Sequence, residues 1–328
     1  MSRWFTSSRI PHTLMGSAYK ARVNNQLNNF IHGPFFLLML PRLSSIARHI
    51  RPFSTTKMSS QTPNILLLTT GTPNGQKVSI TLEELGLPYE TKSISLQKNE
   101  QKEDWFLKVC PNGRIPALVD RTAGEGKELN FMESGAIMQY LTATYDKDYK
   151  ISYPYGTPEY WETQQWMFWM NAGLGPMQGQ ANHFYRYAPE KIEYGINRYI
   201  NETKRLYSVL EDRLAKNPSG WLVGDRMTIA DIACFSWVNW AFWAGVDSTE
   251  FKKLTEWEKR INEREAVKRG LDVPEPFTMK AKMQSKEEAD KYAEESRKWI
   301  MQGNDKEKNG GTIADQTSNT SEVDAKSN

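Results

Sequence analysis

A glycine-containing loop follows the first convincing strand of the chain and raises the question of an anion site. The loop, TTGTPNGQKV, runs from Thr69 to Val78 and holds two glycines and one proline. Glycine-rich loops between a strand and a helix often bind phosphate through backbone N–H groups. This loop has only two glycines and lacks the Lys-Ser/Thr ending of a phosphate-binding loop. Its composition therefore favours a different ligand.

A second stretch, MESGAI, offers two groups that suit an amino acid. Ser134 is predicted at a helix N-cap, where its hydroxyl and the free N–H groups can bind a carboxylate at the positive end of the helix dipole. Glu133, one residue earlier, can meet an ammonium group. On this fragment alone, a plain capping serine beside a solvated acid is the simpler interpretation.

A third stretch, IPA, places Pro116 at the start of a strand after the turn PNG. A cis peptide bond between Ile115 and Pro116 would hold the backbone N–H and C=O of Ile115 out toward a ligand, as an added strand does. An ordinary trans proline at a strand start fits the sequence equally well.

These three stretches fall between elements of one predicted unit, residues 61–145. The apolar run NILLLTT predicts a strand, and Val78, Leu82 and Leu85 recur with helical spacing until Gly86 and Pro88 end the helix. YETKSISL predicts a second strand, and a short helix follows around residues 100–108. Two further strands form a hairpin, and Ser134 begins a helix. The order β-α-β-α-β-β-α predicts a thioredoxin-like domain with a mixed four-stranded sheet.

The rest of the chain is predicted to be helical or without structure. Residues 146–158 form a turn-rich linker, and residues 159–275 form an all-helical domain. Within it, TIADIACFSWVNWAFW is apolar nearly all round, which is typical of a buried central helix, and Thr228 with Asp231 predicts a capping box. Residues 276–328 are expected to form a charged helical extension and a disordered tail.

Composition excludes several classes of function. The chain of 328 residues has a net charge of +3, but eight of its 42 basic residues and none of its 39 acidic residues lie in residues 1–60. The remaining chain is therefore mildly acidic, which argues against nucleic acid as a partner. The chain has only two cysteines and four histidines, which are too few to favour a disulfide framework or a metal site. The apolar run FFLLML is too short to cross a membrane.

The leader, residues 1–60, has the composition of a mitochondrial presequence, rich in Arg and Ser and free of acids. Its segment MLPRLSSIARHIRPFSTTKM predicts a basic amphipathic helix. Translation from Met58 would instead give a cytoplasmic product without a leader, and a wrongly joined exon would also explain the first 38 residues. Immunoblotting of fractionated mitochondria separates these alternatives, and a purely soluble full-length product would exclude import.

In combination, these motifs resemble the glutathione transferase superfamily. The resemblance runs from Ile65 to about Val273 and rests on IPA, ESGAI and the TIAD capping box. TPNGQKV, PNGRIPALVD, FMESGAI, GLGPMQGQANHF and RYINETKRLYSVLEDRL are further similar to bacterial nu-class transferases with disulfide-bond reductase activity. They also resemble the transferase-like domain of the yeast nitrogen-catabolite regulator. The leader and the acidic tail match nothing in that pattern.

The resemblance implies a glutathione site. It places the γ-glutamyl end of glutathione on Glu133 and Ser134, and the cysteinyl backbone on Ile115 beside a cis Pro116. Gln101 and Arg198 would reach the remaining polar groups, Arg198 from its own or a partner's chain. Thr72 and Asn74 stand where other classes contact the thiol, and both would stabilise the glutathione thiolate without acting as nucleophiles.

The expected activity is therefore disulfide-bond reduction with glutathione, with weak transferase activity toward electrophilic small molecules and no metal. A homodimer is expected from the family. The alternative is a non-catalytic regulatory protein that binds glutathione, and a translation-factor appendage is a weaker third. Cys110 and Cys234 are interpreted as structural. The aromatic residues Trp166, Trp169, His183 and Tyr187 belong either to the core or to a pocket for the second substrate.

Overall fold

The computed structural model describes residues 64–122, 127–283 and 285–309. The predicted presequence and the predicted disordered tail after residue 309 lie outside these residues. Both stay predictions.

The first unit is a mixed sheet with helices. Its elements are β1 (Ile65–Thr69), α1 (Pro73–Leu85), β2 (Tyr89–Ser93), a 3-10 turn (Glu100–Lys102), α2 (Asp104–Val109), β3 (Ala117–Asp120), β4 (Leu129–Met132) and α3 (Ser134–Tyr145). The strand order is β2-β1-β3-β4, with β2 parallel to β1 and the other neighbours antiparallel. The predicted thioredoxin-like fold is confirmed. The one short helix expected around residues 100–108 is split, because the chain turns to an extended conformation at Glu103.

The two central strands explain why this sheet forms. Leu67 of β1 pairs with Thr91 on one side and with Leu118 on the other, and both leucines are fully buried. Apolar runs of this length suit strands that are covered on both faces. The end of β1, which leads into α1, and the start of β3, which follows α2, therefore lie next to each other at the centre of the unit.

Local signals set the bounds of α1. Thr72 precedes the helix in an extended conformation, and its hydroxyl oxygen accepts a hydrogen bond from the Gly75 N–H at 3.2 Å. Pro73 occupies the first turn, where a missing N–H costs nothing. At the other end Gly86 adopts φ 67°, the left-handed conformation that glycine takes without strain.

The second unit is helical. Its elements are α4 (Pro158–Trp169), a π-helical segment (Met170–Leu174), α5 (Gly175–Asn182), a second π-helical segment (His183–Tyr187), α6 (Glu193–Lys216), α7 (Ile229–Val238), a 3-10 turn (Ala241–Ala244), α8 (Lys252–Asn262), α9 (Glu265–Leu271), α10 (Met279–Lys282) and α11 (Lys286–Asn309). Every residue of α7 is buried. The predicted capping box is present, since Asp231 accepts the Thr228 N–H at 2.9 Å and the Thr228 hydroxyl accepts from Ala230.

Hydrogen bonds fix α1 against the helical unit. The Ser79 hydroxyl donates to the Gly270 carbonyl at 2.6 Å, and the Trp240 indole N–H donates to the Gln76 side-chain oxygen at 2.8 Å. All of these side chains are buried. The loop that begins α1 therefore has a fixed position relative to the helices of the second unit.

Candidate active site

A cavity of about 870 Å³ lies between the two units. Its size is in the upper part of the range of about 300–1,000 Å³ that small-molecule sites occupy. The first unit contributes polar side chains from four loops and helix starts, and the helical unit contributes polar and aromatic ones. The lining includes Thr72, Asn74, Lys77, Gln101, Ile115, Glu133, Ser134, Met170, Asn171, His183, Tyr187, Trp237, Trp299 and Ile300.

Thr72 and Asn74 stand together at the start of α1, on the cavity wall. The Thr72 hydroxyl accepts a hydrogen bond from Gly75, so its own proton remains available to a ligand. The Asn74 amide has no hydrogen-bond partner among the described residues. Both groups lie at the positive end of the α1 dipole, which favours an anion such as a thiolate.

Glu133 and Ser134 lie at the start of α3 and line the same cavity. The predicted position of Ser134 is wrong by one residue: Ser134 is the first helical residue, and Glu133 occupies the cap position with φ 68°. The chain turns at Glu133, so the helix begins at Ser134, one residue earlier than a capping Ser134 would allow. Ser134 is buried, whereas Glu133 is exposed. The Glu133 Oε1 accepts a hydrogen bond from the Asn112 Nδ2 at 3.5 Å.

The Ile115–Pro116 peptide bond is cis. This answers the question that the sequence left open, and Ile115 lines the cavity. Gln101 also lines it from the 3-10 turn. Its side-chain Oε1 is buried and has no hydrogen-bond partner among the described residues. Since a buried acceptor without a partner is costly, this atom is suited to a donor on a ligand.

The structure does not bring Arg198 to this cavity. The residue lies exposed on α6, where its guanidinium is 5.9 Å from the Tyr199 ring, and it is not part of the lining. The sequence left open whether Arg198 serves its own or a partner's site. Arg198 does not line the cavity of its own chain, and a role at a partner's site stays a prediction.

Lys77 is a site residue that sequence reasoning missed. Its side chain is buried, and its Nζ lies 3.4 Å from the Ser134 hydroxyl and 3.0 Å from the Met170 sulfur. Burial lowers the pKa of Lys77 to about 7, although Glu133 acts in the opposite direction. Its spacing carried a signal, because Asn74 and Lys77 are three residues apart and share a face of α1.

The aromatic residues divide between the two interpretations. His183 and Tyr187, in the second π-helical segment, line the cavity. Trp166 and Trp169 do not, and pack instead against the hydrophobic core. The indole N–H of Trp237, on α7, is buried beside the cavity without a hydrogen-bond partner among the described residues. Trp299 and Ile300 of α11 complete the wall, and neither was predicted from the sequence.

Both cysteines are buried. The Cys110 thiol donates to the Arg114 carbonyl at 3.2 Å and borders a smaller cavity of about 180 Å³. Burial raises the pKa of the Cys234 thiol well above its usual range, which keeps it protonated. These environments agree with structural roles for both residues.

The described residues contain neither a candidate metal site nor a candidate membrane span. No group of three or more His, Cys, Asp or Glu side chains is placed there to hold a metal ion. In the same part of the chain, no helix combines the length and the apolar character needed to cross a bilayer.

The arrangement as a whole suits a small molecule with an amino acid at one end. A carboxylate can bind near Ser134 and Lys77, and an ammonium can bind Glu133. The Ile115 backbone can pair with an extended peptide, and Thr72 with Asn74 can stabilise a developing negative charge.

Comparison with known proteins identifies the family. Residues 64–143 match the family described as Glutathione S-transferase, N-terminal domain. Residues 166–265 match the family described as Glutathione S-transferase, C-terminal domain. The disulfide-bond oxidoreductase YfcG of Escherichia coli is 42% identical over 201 residues, which are 61% of this chain and 91% of that protein.

Solved structures that are similar to this chain point to the same family. A glutathione transferase homologue from Lodderomyces elongisporus, crystallised with two glutathione molecules per subunit, is 48% identical with a TM-score of 0.62, covering 64% of this chain and 98% of its own. Ure2p in complex with S-hexylglutathione is 33% identical with a TM-score of 0.60, covering 64% and 98%. The resemblance inferred from the motifs is confirmed, and the chain belongs to the glutathione S-transferase family.

Proposed function

We propose that the protein is a glutathione-dependent enzyme, most active as a disulfide-bond reductase and weakly active as a glutathione transferase. One observation carries the proposal: a single cavity brings Thr72 and Asn74 together with Ile115, Glu133 and Ser134. The similarity to a disulfide-bond oxidoreductase and to structures holding glutathione supports the choice of ligand.

Glutathione fits the polar groups of the cavity. Its γ-glutamyl ammonium would meet Glu133, and its carboxylate would meet the Ser134 hydroxyl and the Lys77 ammonium. The backbone of Ile115 would pair with the cysteinyl residue. The unpartnered Oε1 of Gln101 would accept an N–H of the peptide. This placement leads the thiol toward Thr72 and Asn74.

Activation of the thiol needs only a modest preference for its charged form. A free thiol has a pKa near ~8.5, and each unit of lowering requires about 1.4 kcal/mol of preferential thiolate binding. Hydrogen bonds to a charged group are worth about 1.5–3 kcal/mol, so the Thr72 hydroxyl and the Asn74 amide suffice.

Reduction then takes two exchanges. The thiolate of one glutathione attacks a disulfide R–S–S–R, forms a glutathione–S–S–R mixed disulfide and releases RS⁻, which takes up a proton. A second glutathione thiolate attacks the glutathione sulfur of that mixed disulfide and releases the other RS⁻. Two glutathione molecules become glutathione disulfide, and the substrate becomes two thiols. With an aryl halide in place of the disulfide, the thiolate attacks the carbon that carries the halogen, a thioether forms, and the halide leaves with the electrons of the broken carbon–halogen bond.

The variant Asn74→Ala tests the proposal. With hydroxyethyl disulfide as substrate, kcat/KM should fall about tenfold to hundredfold, because one hydrogen bond to the thiolate is lost. Asn197→Ala, at an exposed position of α6, is the matched control and should leave the rate unchanged. An Asn74→Ala protein with unchanged rates and an unchanged melting temperature would remove this residue from the mechanism.

The alternative function is regulatory binding without catalysis, which the similarity to Ure2p favours. Calorimetry that detects glutathione binding, together with no turnover of disulfides or aryl halides, would support the alternative over the proposal.

We also propose a homodimer. Exposed apolar side chains occur on β4, where Leu129 and Met132 are 41% and 44% exposed, and on α4, where Trp161 and Phe168 are 50% and 69% exposed. Trp161 and Phe168 are seven residues apart and therefore share a face of α4, and exposed apolar side chains that share a face often mark an interface. In a dimer, the exposed Arg198 could serve the partner's site.

A further inference from the structure

Lys77 is a buried basic residue on the cavity wall, and the described residues place no carboxylate in an ion pair with it. It is only 1% exposed and borders the cavity from α1. Its Nζ lies 3.4 Å from the Ser134 hydroxyl oxygen and 3.0 Å from the Met170 sulfur. Both neighbours are uncharged, and a thioether is only a weak acceptor. A buried ammonium without an anion is costly, so the protein alone does not stabilise the charged form of Lys77.

The titratable groups that face Lys77 do not replace a paired anion. Glu133, before α3, favours the ammonium form, but its carboxylate is exposed and accepts a hydrogen bond from Asn112 instead. Cys234 faces Lys77 from α7, and burial raises the pKa of its thiol, which stays protonated. Burial therefore outweighs both groups and lowers the pKa of Lys77 to about 7. The other titratable residues that line the cavity, none of them bonded to Lys77 in the described chain, are Lys102, Arg114, His183 and Tyr187.

The same part of the cavity offers hydrogen-bond donors to an anion. Ser134 begins α3, a helix of 12 residues, so its hydroxyl lies at the positive end of the helix dipole. The Lys77 amine donates to the Ser134 oxygen, which leaves the hydroxyl proton free for a ligand. The indole N–H of Trp237 borders the cavity, is buried and has no partner among the described residues, and its ring centroid lies 5.9 Å from the Lys77 Nζ. A carboxylate bound here would supply the negative charge that Lys77 lacks.

We propose that Lys77 couples glutathione binding to proton uptake: its side chain is an uncharged amine in the ligand-free protein and an ammonium paired with the γ-glutamyl carboxylate in the complex. This coupling rests on the proposed function and deepens it, because it says how pH regulates the same site. The proton comes from the solvent and adds to the lone pair of Nζ, and no bond of glutathione breaks. Since the ligand binds the protonated form better, its affinity falls as pH rises through 7, where the free lysine loses its proton.

The test counts the protons that are bound together with the ligand. S-methylglutathione is the probe, because its sulfur cannot ionise, whereas glutathione would release a thiol proton at the same time. Calorimetry with the full-length chain measures the binding enthalpy in two buffers of different ionisation enthalpy, and the difference gives the number of protons taken up.

The unmodified protein should take up about 0.8 proton more than Lys77→Met at pH 8, and only about 0.1 more at pH 6, where the free lysine is already protonated. From pH 6 to pH 8 its Kd for S-methylglutathione should rise about tenfold more than that of Lys77→Met. Lys252→Met, at an exposed position of α8, is the matched control and should take up as many protons as the unmodified protein. Protons bound by His183 or by the ligand's amino group are retained in Lys77→Met, so the difference belongs to Lys77.

Two outcomes would overturn the proposed coupling, and they are distinguishable. Equal proton uptake by Lys77→Met and the unmodified protein at pH 8 would overturn it and leave the proposed function intact, since S-methylglutathione would still bind. If the unmodified protein bound neither S-methylglutathione nor glutathione, the coupling and the proposed function would fall together. Lys77→Gln, which keeps a polar side chain without a charge, replaces Lys77→Met if the methionine variant does not fold, and it should show the same loss of proton uptake.

Discussion

Lys77 joins the chemistry of the site to the stability of the protein. The lysine is buried between α1, the start of α3 and the first π-helical segment, and its pKa is lowered to about 7 by the loss of hydration. In the unfolded chain its pKa is near ~10.4. Between these two values the unfolded state binds more protons than the folded state. The free energy of unfolding therefore rises with pH across this window. Below pH 7 the lysine is protonated in both states, and this contribution is absent.

Lys77→Met should remove this dependence. From pH 7 to pH 9 the lysine adds about 2 kcal/mol to the free energy of unfolding of the ligand-free protein. The difference between the unmodified protein and Lys77→Met, measured by urea denaturation at both pH values, should change by about that amount. At pH 7 the methionine variant should be the more stable, because it carries no buried amine.

Lys252→Met provides the comparison, because Lys252 is exposed on α8. Its urea curves should follow those of the unmodified protein at both pH values. If the free energy of unfolding changed equally for Lys77→Met and for the unmodified protein from pH 7 to pH 9, Lys77 would have an ordinary pKa in the folded protein.

At the scale of elements, the position of α1 depends on its crossing with α9. A Cβ at Gly270 would lie 2.6 Å from the Ile80 Cα and 2.7 Å from the Ile80 N, both of them backbone atoms that cannot rotate away. The Ser79 hydroxyl bonds to the Gly270 carbonyl at the same crossing. The glycine allows a backbone approach that no other residue would permit.

Gly270→Ala should therefore lower the free energy of unfolding by about 1–3 kcal/mol, as overpacking of a core does. Thermal denaturation measures the change. Gly173→Ala is a control, because the nearest atom to its Cβ would be the Leu206 Cδ2 at an ordinary contact distance of 3.6 Å. Equal melting temperatures for Gly270→Ala and the unmodified protein would show that the helices can separate at no cost.

The elements that the sequence predicts best are those set by neighbouring residues. Gly86 ends α1, and Thr228 with Asp231 begins α7, because each signal acts within one helical turn. The succession of strands and helices along the first unit follows from such signals, and the residues around Thr72, Ile115 and Glu133 follow from the motifs.

Long-range placement was less predictable. The burial of Lys77 depends on Met170 and Trp237, which lie far along the chain. The packing of α11 depends on a few small residues within a charged segment, so its composition indicated a surface helix. The sequence does not decide whether Arg198 serves its own or a partner's site, and the exposed side of α6 that carries it does not line the cavity of this chain. Tertiary packing, which local patterns do not record, decides all three.

At the scale of the whole molecule, the exposed apolar side chains of α4 and β4 predict self-association. Phe168→Asp should shift the protein from dimer to monomer in sedimentation velocity, because a carboxylate would have to be buried in the interface. Lys252→Asp, at an exposed polar position on α8, should remain dimeric. A monomeric unmodified protein would contradict the proposed homodimer.

The central claim is that Thr72 and Asn74 stabilise the thiolate of bound glutathione. Ultraviolet absorbance of the thiolate, followed against pH with the S-methylglutathione complex as the blank, measures the pKa of the bound thiol. We expect a value at least about one unit below the ~8.5 of a free thiol, and a return toward it in Asn74→Ala. A bound thiol that titrates at the same pH as free glutathione, in a complex shown to be saturated, would show that Thr72 and Asn74 do not stabilise the thiolate.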